Sequence, residues 1–364
     1  MKKSLALTLA VGGLIALTGC KTSQQVAGGG GGGGPGVPSG TLPITAKGRV
    51  LAFRASAESE TETNTLTNLP MTYTKLTGTT FLDKTGANGI GVTGTAEPDP
   101  TPNPFQGSTQ NNNGVTNPPA LITTTADGAM TGGTELAGLD KAKGSVFFAG
   151  GSFGNPQVSD DRVNLSTVGV YNLDGNPANQ INLKHGVTVR YTDGVAGENE
   201  GNFAVGYIGE NTTNMPGTGT AEYKGFWEQG VAAYDDGTQV RQMFISGDVN
   251  IMADFGAGRV SGGLRNASLE TYDQVSQSTR NLNASITGLD IDATINGSEY
   301  NGSARLIDNA GNQVGTTTTS NLIGAFLGNS AVETVAATMI EGTAPLDGRD
   351  SNFILTGVMG GVKK

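Results

Sequence analysis

Residues 249–264 alternate strictly, turn on glycines and alternate back. Strand side chains point to opposite faces in turn, so Val249, Ile251, Ala253 and Phe255 share one face while Asn250, Met252 and Asp254 share the other. Gly256 and Gly258 flank Ala257 where a three-residue hairpin loop needs positive φ, and Val260, Gly262 and Leu264 bring the apolar face back. The stretch predicts an antiparallel hairpin with one wet face. The same pattern sets Leu289, Ile291, Ala293 and Ile295 against Asp290, Asp292, Thr294 and Asn296, and it returns over 300–306 and 353–358. Repeated hairpins of this kind predict an all-β region closing on one core.

Upstream the strands are shorter. β-prone segments at 48–57, 71–76 and 79–82 are divided by Thr, Asn and Gly, and an apolar run around Val146, Phe147 and Phe148 follows much later. Val187, Val189 and Tyr191 alternate with Thr188, Arg190 and Thr192, whereas 203–208 is more continuously apolar. Between these segments, 97–119 carries repeated prolines and an Asn run with Phe105 as its only aromatic residue, which predicts a long exposed loop, functional or disordered. No persuasive helical stripe runs through 41–364; the stretches 268–278 and 331–337 are the places left for a short helix.

Glycine at 58 of 364 residues, with only 15% charged residues, fits an exported all-β protein with many turns. The beginning of the chain agrees with export. Lys2 and Lys3 precede an apolar stretch at 5–17, shorter than the roughly 18 residues that suggest a membrane span. Leu17-Thr18-Gly19-Cys20 then resembles the lipobox of bacterial lipoprotein signal peptides. That resemblance implies cleavage before Cys20, lipidation of Cys20 and, because Lys21 rather than Asp follows, sorting to an outer membrane. Seven glycines at 28–34 make a flexible tether. A phosphate-binding loop would need a following Lys-Ser or Lys-Thr pair and a helix, and neither pattern follows. The expected organisation is therefore signal peptide 1–19, lipidated Cys and tether 20–42, a β-rich region 43–214, and a barrel region 215–364.

Loss of residues 1–19 removes Lys2 and Lys3 and no acid, taking the formal charge from −10 to −12. So acidic a chain lacks the basic footprint of a nucleic-acid binder, and its surface disfavours docking on anionic lipid, leaving the acyl anchor to hold the membrane. With Cys20 lipidated no cysteine remains for a disulfide or thiolate metal site. His185, the only histidine, lies in a turn entering a strand with no second ligand in spacing, and a structural or solvent-facing role is expected. Residues 89–94 satisfy a Gly-x-Gly-x-x-Gly spacing, but Pro98 and Pro100 follow where a dinucleotide site requires a helix. Asp290 and Asp292 share a strand face as solvated alternation would place them, and Trp227, beside Phe226, is expected in the core rather than as a binding anchor. No nucleophile, base and orienting group assemble, no metal or cofactor is implied, and binding rather than catalysis is expected.

Several segments carry a family resemblance. Met215-Pro216-Gly217-Thr218-Gly219-Thr220-Ala221-Glu222-Tyr223-Lys224-Gly225 resembles the barrel entry of transferrin-binding protein B-like surface lipoproteins. Asp254-Phe255-Gly256-Ala257-Gly258-Arg259-Val260-Ser261-Gly262 is similar to that family's barrel hairpin, and Gly324-Ala325-Phe326-Leu327-Gly328-Asn329-Ser330-Ala331-Val332-Glu333 to its Gly-x-Phe-x-Gly-x-x-Ala-x-Glu segment. Gly357-Val358-Met359-Gly360 stands where a terminal Gly-Val-Phe-Gly is usual, with Met359 replacing the aromatic. The resemblance implies an all-β single lobe: an amino-terminal handle-like domain and a carboxy-terminal eight-stranded antiparallel β-barrel on the tether. It also implies an outer-membrane, surface-exposed lipoprotein binding a protein or small ligand in iron or haem acquisition. A host protein or a haem or iron carrier would be its partner and a TonB-dependent receptor its neighbour. A structural or adhesive surface lipoprotein without a nutrient ligand is the alternative. It assigns no ligand-binding residues, and the sequential hairpins predict that 216–364 folds alone.

Overall fold

The computed structural model describes residues 44–64, 71–84, 87–96, 120–123, 147–149, 162–168, 170–172, 180–194, 200–273 and 278–364. Cys20, the glycine run at 28–34 and the loop 97–119 with Phe105 lie outside the described residues. Among the described residues the fold is all-β, as the alternation predicts.

The amino-terminal sheet is organised on β1 (Ile44–Asn64), long enough to serve three neighbours. One edge receives β3 (Ile90–Ala96) and then β2 (Met71–Lys84), and the other receives β10 (Glu200–Gly209). The sheet continues past β3 through β4 (Ala120–Thr123) and β5 (Phe147–Ala149), and past β10 through β9 (Gly186–Gly194) and β6 (Arg162–Val168). β7 (Val170–Asn172) and β8 (Gln180–Asn182) form a small separate pair. Residues 89–94, with the dinucleotide-like spacing, fall at and within β3, an antiparallel strand between β1 and β4.

The carboxy-terminal sheet runs through β11 (Thr220–Asp235), β12 (Val240–Asp254), β13 (Arg259–Asp273), β15 (Gly288–Asn296), β16 (Glu299–Ile307), β17 (Thr316–Leu327), β18 (Glu333–Leu346) and β19 (Arg349–Lys363). Each pairs antiparallel with the next and β19 returns to β11, closing an eight-stranded barrel; the short β14 (Ser278–Asn281) sits beside β13. Closure removes the sheet edges that would otherwise template pairing with another chain.

Three local expectations change, the first being that 353–358, expected to have one wet face, is buried on both faces within β19. The β12–β13 turn spans 255–258, and only Gly258, at φ 67°, is left-handed, because the Asp254 carboxylate accepts from the Ala257 amide at 2.9 Å and fixes the first half of the turn. The two stretches left for a short helix are mostly strand: 268–273 ends β13, and 333–337 begins β18. In the second case Val335 and Thr334 are β-branched and both faces of the strand are buried, so an apolar run replaces the alternation that would have marked it as β.

The barrel interior is filled. Phe326 lies at its centre, with ring centroids 5.9 Å from Tyr223, 5.4 Å from Phe255 and 5.2 Å from Tyr300, and Trp227, Tyr234, Leu264 and Ile291 complete the packing. Two of the buried tyrosine hydroxyls are satisfied internally: Tyr223 donates to Ala331 O at 2.7 Å and Tyr300 to Val335 O at 3.0 Å. One seam departs from the ladder. Between Gly225 and Ala233 the backbone of β11 leaves β12, and side chains take over its bonds. Gln229 Nε2 donates to Met243 O and its Oε1 accepts from Ile245 N, both at 2.7 Å, while Trp227 Nε1 donates to Ile245 O at 3.1 Å. Trp227 is thus a core residue with a structural hydrogen bond.

The outside of the barrel has two characters. Along β13, β15 and β16 it is charged, with Arg259, Asp290, Asp292 and Arg305 outward and apolar side chains inward, the reverse of a membrane-spanning barrel. Along β17–β19 the outer wall is apolar, through Ile323, Ala325, Leu327, Val335, Ala337, Met339, Ile354 and Val358, and Leu51, Phe53, Phe203, Val205 and Tyr207 of the amino-terminal sheet cover it. The register partners Phe53 and Phe203 stack at 5.0 Å within this second core. The continuous apolar run at 203–208 follows from a strand buried on both faces.

Candidate functional site

Where the handle-like sheet meets the barrel, the joint is built from polar groups as well as apolar ones. Glu333, at the start of β18 and almost wholly buried, accepts from the amides of Lys184 at 2.6 Å and His185 at 2.9 Å. Its carboxylate thereby satisfies two donors of the turn that enters β9. Burial pushes its pKa up, and those two amides and the neighbouring His185 oppose the rise.

His185 Nδ1 lies 3.2 Å from Glu210 Oε2, just past the end of β10. The hydrogen bond to Glu210 raises its pKa above the ordinary value, burial opposes, and the Glu333 and Glu210 charges add to the rise. The ring packs over Gly328, whose φ is 69° and where a Cβ would come within 2.5 Å of the imidazole. The chain then crosses into the barrel by backbone bonds, Gly328 N to Glu210 O at 3.0 Å and Thr212 N to Phe326 O at 2.9 Å. Farther along, Arg49 of β1 bonds Glu299 of β16 at 3.2 Å, Tyr207 OH donates to Gly324 O at 3.1 Å, and Arg190 donates to Gln229 O at 2.8 Å, inside the bulge of β11.

On the opposite wall, a groove of about 500 Å³ is lined by Asp254, Arg259, Ser261, Asp290, Asp292 and Arg305. Asp292 takes both oxygens to Arg259 Nη2 at 2.6 Å, and Asp290 is shared between Arg265 at 2.6 Å and Arg305 at 3.1 Å. The two carboxylates noted in the sequence are brought together only as members of this exposed ion-pair ladder. Among the described residues no group of three or more His, Cys, Asp or Glu side chains is placed to hold a metal, and no helix is long and apolar enough to cross a membrane.

This geometry gives the Gly324–Glu333 segment its meaning. Gly324 has Tyr300 lying against it, Phe326 fills the barrel centre, Gly328 admits the His185 ring, Ala331 is buried under the Tyr223 hydroxyl and Glu333 holds the handle turn. The roles of Glu333 and Glu210 leave no local trace in the sequence, because their partners lie 149 and 25 residues away.

A filled eight-stranded antiparallel barrel, carried against a β-sheet handle through one polar joint, defines a handle-and-barrel lobe. The model of the C-lobe and N-lobe β-barrels of Tf-binding protein B matches residues 215–363. Those residues, fewer than half of the chain, are similar to the barrels of that family. Among solved structures, transferrin-binding protein B of Haemophilus parasuis is similar at 12% identity and TM-score 0.34, covering 89% of this chain and 76% of that one. The haemoglobin receptor HpuA of Kingella denitrificans, solved with human haemoglobin, is similar at 10% identity and TM-score 0.28, covering 90% of each chain. No curated protein sequence matches the chain.

Proposed function

We propose that the protein is an outer-membrane lipoprotein, anchored through acylated Cys20 and displayed at the cell surface, that captures a host protein in iron or haem acquisition rather than catalysing a reaction. The observation that carries this reading is the barrel-family match of residues 215–363, joined to the lipobox ending at Cys20. A protein partner is favoured over an enclosed small ligand because the barrel interior is packed with aromatic and aliphatic side chains. Contacts would then come from the barrel rim, the handle loops and the segment 97–119, where Phe105 is a candidate anchor.

Cells expressing the wild-type chain should retain labelled transferrin or haemoglobin and lose them after external protease. In Cys20→Ser the protein should leave the membrane fraction, since several acyl chains at about 0.8 kcal/mol per buried methylene supply the attachment. A variant still membrane-bound after high-salt washing would refute the anchor. Surface display with neither iron protein retained would refute the acquisition reading.

A further inference from the structure

We propose that the joint between handle and barrel is a proton-controlled lock, in which protonated His185 holds the handle to the barrel more tightly than the neutral imidazole does. The proposal stands on one titratable ring that bonds the carboxylate of Glu210 while its own backbone amide bonds the carboxylate of Glu333, from another part of the fold. Glu210 meets Nδ1 at 3.2 Å from the end of β10, and Glu333 reaches the backbone amides of Lys184 and His185 from the barrel strand β18. The only other charge in the same turn is Lys184, and Arg49 and Glu299 elsewhere in the joint pair with each other. With a neutral ring, the Glu210 carboxylate meets no cation at Nδ1; with a protonated ring, an imidazolium bonds Glu210 and lies beside the Glu333 carboxylate held by the His185 amide.

The ring also sits where movement of the handle must disturb it. It packs on the left-handed Gly328 of the β17–β18 turn, and its own carbonyl accepts from Glu210 N at 2.7 Å. The direction follows by linkage: a histidine whose folded pKa is raised contributes stability that is fully present below its unfolded value of 6.5 and is lost as pH rises through the folded value. The joint is therefore tighter below pH 6.5 and loosens as pH rises through the raised folded value, which would set the mutual orientation of handle and barrel loops by local pH.

The chain has one histidine, so a single imidazole resonance reports the titration without assignment. In the full-length protein in detergent, amide exchange at 184–186 and 210–212 is followed from pH 5.5 to 8.5 and corrected for its intrinsic pH dependence. Protection should rise about three- to tenfold as pH falls, with the midpoint of the imidazole resonance and above 6.5. His185→Gln should remove that transition, and Glu210→Gln should move its midpoint down. Flat protection in the wild type, or the same transition persisting in His185→Gln, would overturn the proposal. Should His185→Gln not fold, an unmoved midpoint in Glu210→Gln overturns it equally.

Discussion

Single side chains in this protein do work that spans large separations in sequence. Glu333 satisfies two amides of a turn 149 and 148 residues away. Truncation to Ala leaves both half-buried donors without the carboxylate, at about 1–3 kcal/mol each, and Glu333→Ala should lower stability by about 2–4 kcal/mol in urea unfolding, with Glu333→Gln losing less. A loss under about 0.5 kcal/mol would mean that the amides find water. Gly357 shows the opposite constraint, close approach: a Cβ there would come within 2.2 Å of the Trp227 ring and 2.8 Å of Glu228 O. Gly357→Ala should cost about 1–3 kcal/mol by overpacking, read in the same experiment. At the far end of the barrel, Asp347 accepts from Arg280 at 2.6 Å and Tyr234 at 2.9 Å, and the Arg280 bond, with Tyr234 and the Asn283 amide, holds its carboxyl at about 2 despite burial. A depressed carboxyl contributes stability above its unfolded value of about 3.9 that is lost as pH falls through the folded one. The melting temperature should therefore fall between pH 4 and 2, and less steeply in Asp347→Asn; parallel pH curves would assign the acid loss elsewhere.

The strands divide by how many of their faces are buried, and that division decides what the sequence could reveal. β12, β13, β15 and β16 have one dry face, so Ile251, Val260, Ile291 and Ala304 alternate with polar neighbours and the hairpins could be read directly. β18 and β19 are dry on both sides, one facing the barrel centre and the other the handle: the run at 333–337 carries no period from which a strand could be told from a helix, and 353–358, read as a strand with one wet face, is buried on both. The same limit hid the joint, since alternation records which face is dry but not what dries it. Tertiary partners such as Glu210 for His185 leave no local spacing at all. A pair of substitutions separates the two kinds of outer wall. Thr294 on β15 is exposed and Ala337 on β18 is completely buried beneath the handle. Thr294→Glu should stay within about 0.5 kcal/mol of the wild type, whereas Ala337→Glu places an unpaired charge in an apolar contact and should cost about 4 kcal/mol or more. Equal effects in thermal melts would mean that the handle does not cover β18 in solution.

The two-core architecture alters what the barrel can do by itself. Sequential hairpins predict that residues 216–364 fold alone, and the internal core around Phe326 supports the strand pairing without the handle. The outer wall does not, because Ile323, Leu327, Val335, Met339, Ile354 and Val358 would all lose their cover together. Exposed apolar area carries roughly 25 cal/mol per Å², and a contiguous patch of several such side chains exceeds what soluble monomers usually present. Removing the handle also strands the Glu333 carboxylate without the Lys184 and His185 amides, which adds an unpaired acid at the edge of that patch. The isolated segment 216–364 should therefore show a β-type far-ultraviolet spectrum, bind a hydrophobic dye and self-associate with rising concentration, while 43–364 stays monomeric and dye-silent. Charged substitutions at Val335 and Ile354 should restore a monomer to the isolated segment yet destabilise the longer chain, because the same two positions are solvent-facing in one and core in the other. Sedimentation of the four proteins decides it: a dye-silent, monomeric 216–364 would show that the barrel closes without its handle and that the second core is a docking contact only.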